Sequence, residues 1–544
     1  PSGRAMMAVV HDRLRTLLEH PRLPVVAALV AFVLTLPSLR GGWQGDDWIH
    51  RAILLKLGDA AGRTPLWDLF KFVDNGPISE GLKQAGILPW WSAPELRVGF
   101  LRPVSAATHM LDTWLWPTWA WAQHLQGILW YAIGVGLVAK LLRQVLPGPA
   151  AGLAALLFAV EDAHAIPASW IANRNAVVTL SLGAAMLLAH LRWRRGGGLG
   201  WAAASLGLLV LALLSGESAV GAVAYLAAWQ LTLDEGTWGR KLAGLAPALV
   251  VVALWRVLYN HLGYGASGSG LYVDPGADGV AFLGALLQRW PALMLAQWSQ
   301  VPIDMWAAMP PAGQHALTAA GVLLCAVVAA IFGPLIRESA VARFLALGAA
   351  LSLVPPCAAF PMDRLLVFAG IGCFGLLALA LTQLPEAGLR RRALVGLAVV
   401  HGPLAALMLA ARTALLPLVG ALFFGMAESS APADPAVVHQ VFIFVNSTDF
   451  AAAYTGVIRV VEGDPMRPPP ERVAVLCSQL GAPIITRESA DTLVFTRDDG
   501  FLAFPLEQLM RSVSVPFGVG QTVDTVDFVA EVRTLTEDAR PKTV

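Results

Sequence analysis

Long apolar runs separated by short polar turns dominate this chain. A helix that crosses a bilayer needs about 20 mostly apolar residues. Eleven runs before residue 426 approach that length: 23–39, 121–142, 149–160, 175–191, 199–214, 219–233, 242–259, 317–336, 341–357, 365–384 and 393–411. The pattern predicts a polytopic α-helical membrane protein of about eleven transmembrane helices. Residues 414–426, beyond Arg412-Thr413, are also apolar and read either as a twelfth span or as a re-entrant piece. Two intervals are long, 41–120, rich in Trp, and 260–315, whose stretch 282–306 reads as a helix lying on the membrane surface. After Met426 the pattern changes. A turn-rich segment, Glu428-Ser429-Ser430-Ala431-Pro432-Ala433-Asp434-Pro435, leads into short alternating runs such as 441–445, 474–476 and 492–495. These predict a small β-rich soluble domain over 428–544, following a membrane domain over 1–427.

Composition sharpens the class. The 544 residues are 56% hydrophobic and 14% charged, with a mean hydropathy of +0.62, far from a soluble fold. A formal net charge of +1 leaves no basic surplus for a nucleic-acid partner. The 4 cysteines have neither zinc nor CxxC spacing, so no disulfide framework is expected. The first run ends in Ser38-Leu39-Arg40, which lacks a signal-peptide cleavage pattern, and it is expected to remain as the first span.

Charge in the short turns sets orientation. Arg4, Arg13, Arg15 and Arg22 precede the first span; Lys140 with Arg143, Arg192 with Arg194 and Arg195, Arg240-Lys241, Arg337 with Arg343, and Arg390-Arg391-Arg392 fall in alternate turns. Basic turns stay inside, which makes the amino terminus cytoplasmic. The intervening turns, with Asp46-Asp47, residues 161–164, the Gly-rich 263–270 and 361–364, are then extracytoplasmic, and with eleven spans so is the tail.

Those turns hold the candidate chemistry. Asp46 and Asp47 follow the first span inside Trp43-Gln44-Gly45-Asp46-Asp47-Trp48. In a helix from residue 45, Asp47 meets Arg51 at i,i+4 and Asp46 faces His50, so a local ion pair is one reading. A general base that takes a proton from an acceptor hydroxyl is the other. Arg102, fixed by the following Pro103, suits bidentate phosphate binding or snorkelling to headgroups, and His109, Asp112 and Trp116 lie on the same stretch. Glu161, Asp162 and His164 are candidate ligands for Mg or Mn, though residues so close in sequence seldom converge on one ion, and the metal is left unknown. Arg174, just beyond them, is with Arg102 and Arg364 a candidate ligand for the donor phosphate. Glu217, in Ser215-Gly216-Glu217-Ser218, is an acid between two apolar helices. Arg364 is a further phosphate ligand, or else the partner of Asp363.

Taken together these motifs resemble the GT-C superfamily of membrane glycosyltransferases, whose acidic catalytic motif follows the first helix. The ordered series Phe100-Leu101-Arg102-Pro103-Val104, His124-Leu125-Gln126, Leu157-Phe158-Ala159, Trp170-Ile171-Ala172-Asn173-Arg174-Asn175 and Leu214-Ser215-Gly216-Glu217-Ser218 resembles the transmembrane and tetratricopeptide O-mannosyltransferases. It covers roughly residues 23–235. Glu161-Asp162 and Gly216 stand where relatives tend to carry His-Pro and lysine, and the tail has no 34-residue helical repeat. The resemblance implies an inverting transfer from a polyprenyl-phosphate sugar to an extracytoplasmic protein or glycan acceptor. It further implies Asp46 or Asp47 as base and arginines that neutralise the leaving phosphate. Two rival readings are a flippase or transporter of lipid-linked sugars and a membrane scaffold with an envelope-binding β domain. A transporter would show internal repeats and midplane charge.

Overall fold

The computed structural model describes residues 12–58, 64–447, 450–478 and 482–544, so Arg4 and the last residue of the sequon-like Asn446-Ser447-Thr448 lie outside the described residues. The protein is a bundle of apolar helices with a smaller, mixed β-containing unit at its carboxyl end. It is an integral membrane protein. Among the described residues eight helices are long and apolar enough to cross a bilayer: Leu23–Arg40, Ala120–Val145, Ile171–Gly197, Trp238–His261, Gly279–Ser299, Pro311–Glu338, Ala340–Ala358 and Leu389–Gly420. A ninth arises if Gly148–Ala159 and Asp162–Ser169, bent by 47° at their junction, count as one span. Leu199–Leu213 and Ala369–Thr382 are apolar but shorter, and Val220–Thr232 has 13 residues.

Eleven full-length spans were expected, and four of those runs prove to be short or broken helices. Their ends pass into turns that carry polar residues inward, and a helix whose terminus is buried in protein need not reach across the whole apolar layer.

Gly279–Ser299 corrects the expectation of a surface helix at 282–306. It enters the bundle, burying Pro291 through Trp298. Thr318 donates to the Gln288 carbonyl at 2.9 Å, Gly321 abuts the Pro291 carbonyl, and the Trp298 and Phe332 rings meet at 5.2 Å. Both residue numbers increase together along this contact, so Gly279–Ser299 and Pro311–Glu338 run in the same direction. The chain between them returns to the face from which both helices start. A Cβ at Gly321 would overlap the Pro291 carbonyl, and only glycine allows this close a crossing. In the fold Arg289 finds an internal partner, its Nη1 donating to the Cys357 carbonyl at 3.1 Å.

The apolar run after Arg412 is no separate span. It continues the last long helix to Gly420 and, through a π-turn at Ala421–Gly425, into Met426–Ser430.

One face of the bundle collects the long connections. A three-stranded antiparallel sheet joins Lys71–Val73, Arg97–Gly99 and Gly265–Ser267, with Val98 opposite Ala266. Val273 N–H donates to the Ala358 carbonyl at 2.8 Å and Gly270 N–H to Gln508 at 2.7 Å. The tail sits on this same face. It contains a parallel pair, Val441–Phe444 with Arg472–Val475, a four-stranded sheet in the order Thr534–Leu535, Pro541–Thr543, Leu493–Thr496, Ile484–Arg487, and the helix Tyr454–Glu462. Its core incorporates Trp90 and Trp91 of the first long connection, packed with Phe501 and Phe517.

Candidate functional site

The acidic pair opens the helix Asp46–Leu54 behind Gly45, whose φ of 52° suits a residue without a Cβ. Asp47 is 1% exposed. Its two oxygens accept backbone N–H groups, Oδ1 from Ala172 at 2.7 Å and Oδ2 from Gln44 at 3.0 Å. Trp170 Nε1 donates to the Gln44 carbonyl at 3.2 Å, so residues 44–47 are pinned to the turn before Arg174. Burial pushes the Asp47 carboxyl up to about 7 despite those donors. Asp46 is half-buried and turned elsewhere. Its Oδ1 accepts the Tyr454 hydroxyl at 2.9 Å, and Oδ2 has no hydrogen-bond partner among the described residues. Burial raises its pKa above the ordinary carboxylate value, opposed by the Tyr454 hydrogen bond and then by the Arg364 charge.

Of the two readings of this helix, the local pairing of Asp47 with Arg51 does not form. Arg51 lies 3.5 Å over the Trp43 ring and donates to the Pro117 carbonyl at 2.8 Å. His50 packs against Phe70, Phe72 and His109 rather than facing Asp46. Burial drives His50 down to about 3, which keeps its imidazole neutral. The i,i+4 geometry is there, but an aromatic face and a fixed carbonyl offer the guanidinium a better-desolvated berth.

The arginines differ sharply from one another. Arg102 is the residue before the helix Pro103–Leu115 and lies 4.4 Å over the Phe100 ring. Its Nε and Nη2 donate to one oxygen of Glu217 at 2.9 and 2.6 Å, with both side chains partly exposed. Arg174 is fully buried. It pairs with Asp112 at 2.5 Å and donates to Gln126 at 2.6 Å and to the Gln123 carbonyl at 2.7 Å. Arg364 lies 5.8 Å over the Trp170 ring, and its charge acts on the Tyr272 hydroxyl together with those of Arg102 and Asp46. Asp46, Arg364, Tyr272, Arg102 and Glu217 thus form one neighbourhood on the long-connection face. Asp47 and Arg174 stand behind it.

Glu161, Asp162 and His164 sit at and just after the 47° break, and they diverge. Glu161 faces His401 at 3.6 Å, Asp162 binds Arg412 at 2.8 Å, and His164 meets the Tyr131 hydroxyl at 3.0 Å. They form no common set for an ion, and among the described residues no three His, Cys, Asp or Glu side chains gather to hold one. Asp363 pairs with Arg412 at 2.7 Å rather than with its neighbour Arg364, and Asp304 completes the cluster at 2.5 Å. One guanidinium thereby ties three connections together.

Arg412, Tyr272 and Tyr454 escaped the sequence reading. Arg412 was visible as a charge inside an apolar stretch, a signal in itself. Nothing in sequence marks a tyrosine 408 positions away as the partner of Asp46.

No family model matches the chain, and no curated protein matches it in sequence. Among solved structures, an archaeal oligosaccharyltransferase AglB from Archaeoglobus fulgidus, in complex with an inhibitory peptide and a dolichol-phosphate, is similar at a TM-score of 0.41 and 12% identity, over 82% of this chain and 63% of that one. ArnT from Cupriavidus metallidurans, bound to undecaprenyl phosphate, gives 0.41 and 14% over 82% and 88%. The Archaeoglobus fulgidus oligosaccharyltransferase tethered to an acceptor peptide gives 0.41 and 13% over 83% and 64%. The chain therefore spans less than two thirds of either archaeal chain, and at these scores the likeness is loose.

Proposed function

We propose that the protein is a membrane glycosyltransferase that moves a sugar from a polyprenyl-phosphate donor to an acceptor hydroxyl, with inversion, on the extracytoplasmic face. The observation that carries this reading is the half-buried Asp46, one of whose oxygens has no partner among the described residues, in the same neighbourhood as Arg364 and Arg102. Asp46 Oδ2 takes the acceptor O–H proton as that oxygen attacks the anomeric carbon from the side opposite the phosphate. The bond from that carbon to the phosphate oxygen breaks, and its electron pair leaves on the polyprenyl phosphate. A phosphate departs readily only when its growing charge is met, which is the role of Arg102 and Arg364. For Arg102 this means exchanging Glu217 for the phosphate. Arg174, the third candidate for the phosphate, is buried against Asp112, and its part in this reading is to support the turn that holds Asp47.

The ordered motifs over residues 23–235 support the same reading. Sidedness is supported by the basic turns at Arg143, Arg192 to Arg195, Arg240-Lys241 and Arg390 to Arg392, which favour the cytoplasm. The acceptor, protein or glycan, meets Asp46 beneath the tail.

The test is release of radiolabelled sugar from a polyprenyl-phosphate carrier by purified protein. Asp46→Asn keeps the shape and loses the basicity, so transfer is expected to fall by roughly 10²-fold or more with an unchanged melting temperature. Full activity of that variant would sink the base assignment. Movement of the intact lipid-linked sugar across vesicles without transfer would favour the transporter.

A further inference from the structure

We propose that Tyr454, in the carboxyl-terminal unit, is a positioning residue of the transfer site: it holds Oδ1 of Asp46 so that Oδ2 alone receives the acceptor's proton. The inference rests on the reading of Asp46 as the base, and it makes the appended unit part of the catalytic apparatus rather than a passenger. A carboxylate turns broadly about its last torsion, so an unanchored Asp46 would offer its two oxygens interchangeably and in varying directions. The 2.9 Å hydrogen bond from the Tyr454 hydroxyl to Oδ1 removes that freedom.

The anchor is itself rigid. Tyr454 is 9% exposed and begins the helix Tyr454–Glu462, which packs directly on the helix Asp46–Leu54. Ala452 and Ala453, just before it, are buried in the core built around Trp90 and Trp91. On its other side Arg459, fully buried, donates to Glu428 at 2.8 Å and to the Pro432 carbonyl at 2.9 Å, which ties the helix to the connection from the membrane bundle. A reacting group held by a second group that is locked in turn is what precise proton transfer requires.

The same contact tunes the base. The charged and titratable groups that act on Asp46 are Asp47 beside it, Arg364 and Tyr272 from two other connections, and Tyr454. Burial raises the proton affinity of Asp46, while the phenol, followed by Arg364, lowers it by stabilising the charged form. A base protonates as pH falls through its pKa, so activity is lost on the acid side. Removing the phenol hydroxyl therefore moves the acid limb to higher pH.

The experiment uses the full chain in detergent. Tyr454→Phe is expected to shift the acid limb of kcat upward and to lower kcat roughly tenfold, with the donor KM unchanged. Infrared titration of the carboxyl band that Asp46→Asn abolishes reads the same shift without turnover. A Tyr454→Phe protein that is active with an unmoved limb and an unmoved carboxyl midpoint overturns the proposal, even where its melting temperature drops. Wild-type protein that transfers no sugar overturns the transferase reading and this role together. A tyrosine that merely packs would change melting alone.

Discussion

Asp46 and Asp47 are neighbours in sequence and serve different ends, because successive residues of a helix point about 100° apart. One carboxylate is consumed by two backbone N–H groups, the other retains a free oxygen. This separates two substitutions that look alike. In Asp47→Asn the amide must present its NH2 to one of two N–H donors, leaving that buried donor unsatisfied at a cost of about 1–3 kcal/mol. Its melting temperature is expected to fall well below that of Asp46→Asn, measured side by side in detergent. Equal melting would show that the Asp47 bonds do not hold the loop. The arginines divide likewise. Arg174→Ala leaves Asp112 buried without its cation, a loss of about 3–5 kcal/mol, whereas Arg102→Ala should melt nearly like the parent and bind the donor poorly. Donor affinity and thermal melting, taken for both variants, check that division.

At the scale of elements, the hydrophobic period identified helices well and their depth badly. Residues 282–306 read as a helix lying on the membrane surface, although Gln288, Arg289 and Gln297 stand within the run that the fold buries. The fold answers Arg289 with a carbonyl and sets the helix against Pro311–Glu338. The crossing depends on Gly321. Gly321→Leu is expected to force the two helices apart and cost about 1–3 kcal/mol, while Gly333→Leu on the same helix, where nothing lies within 4 Å, serves as the neutral control. Equal melting of the two variants would remove this close approach from the account. The 47° break after Gly148–Ala159 teaches the same lesson. Three polar residues that stand together in sequence are fanned out by it toward His401, Arg412 and Tyr131.

For the whole molecule, the unit after residue 428 and the first long connection fold as partners. Trp90 and Trp91 are 4% and 1% exposed within the tail's core, and Trp90 Nε1 donates to the Leu476 carbonyl at 2.9 Å. Trp90→Ala is expected to cost about 3–5 kcal/mol and to make the tail protease-sensitive while the helix bundle stays intact. A tail as resistant as in the parent would separate the two. Because the tail touches Asp46, both lie on one side of the membrane. A cysteine at Ser429 should label from outside sealed cells, and labelling only after the inner membrane is breached would reverse the proposed sidedness.

Composition and hydrophobic period by themselves determined the membrane class, most helix positions and the β-containing tail, since each depends on the solvation of local runs of side chains. Charge in the turns brought out Asp46, Arg102, Arg174, Glu217 and Arg364 as residues too costly to place idly. Tertiary structure alone decided which of these face a common space. Whether a carboxylate is spent on two amides or left with a free oxygen depends on Ala172 and Tyr454, 125 and 408 positions away. Such partners are set by helix packing and by the return of the tail onto the first connection, and no local pattern encodes an approach between surfaces so distant in the chain.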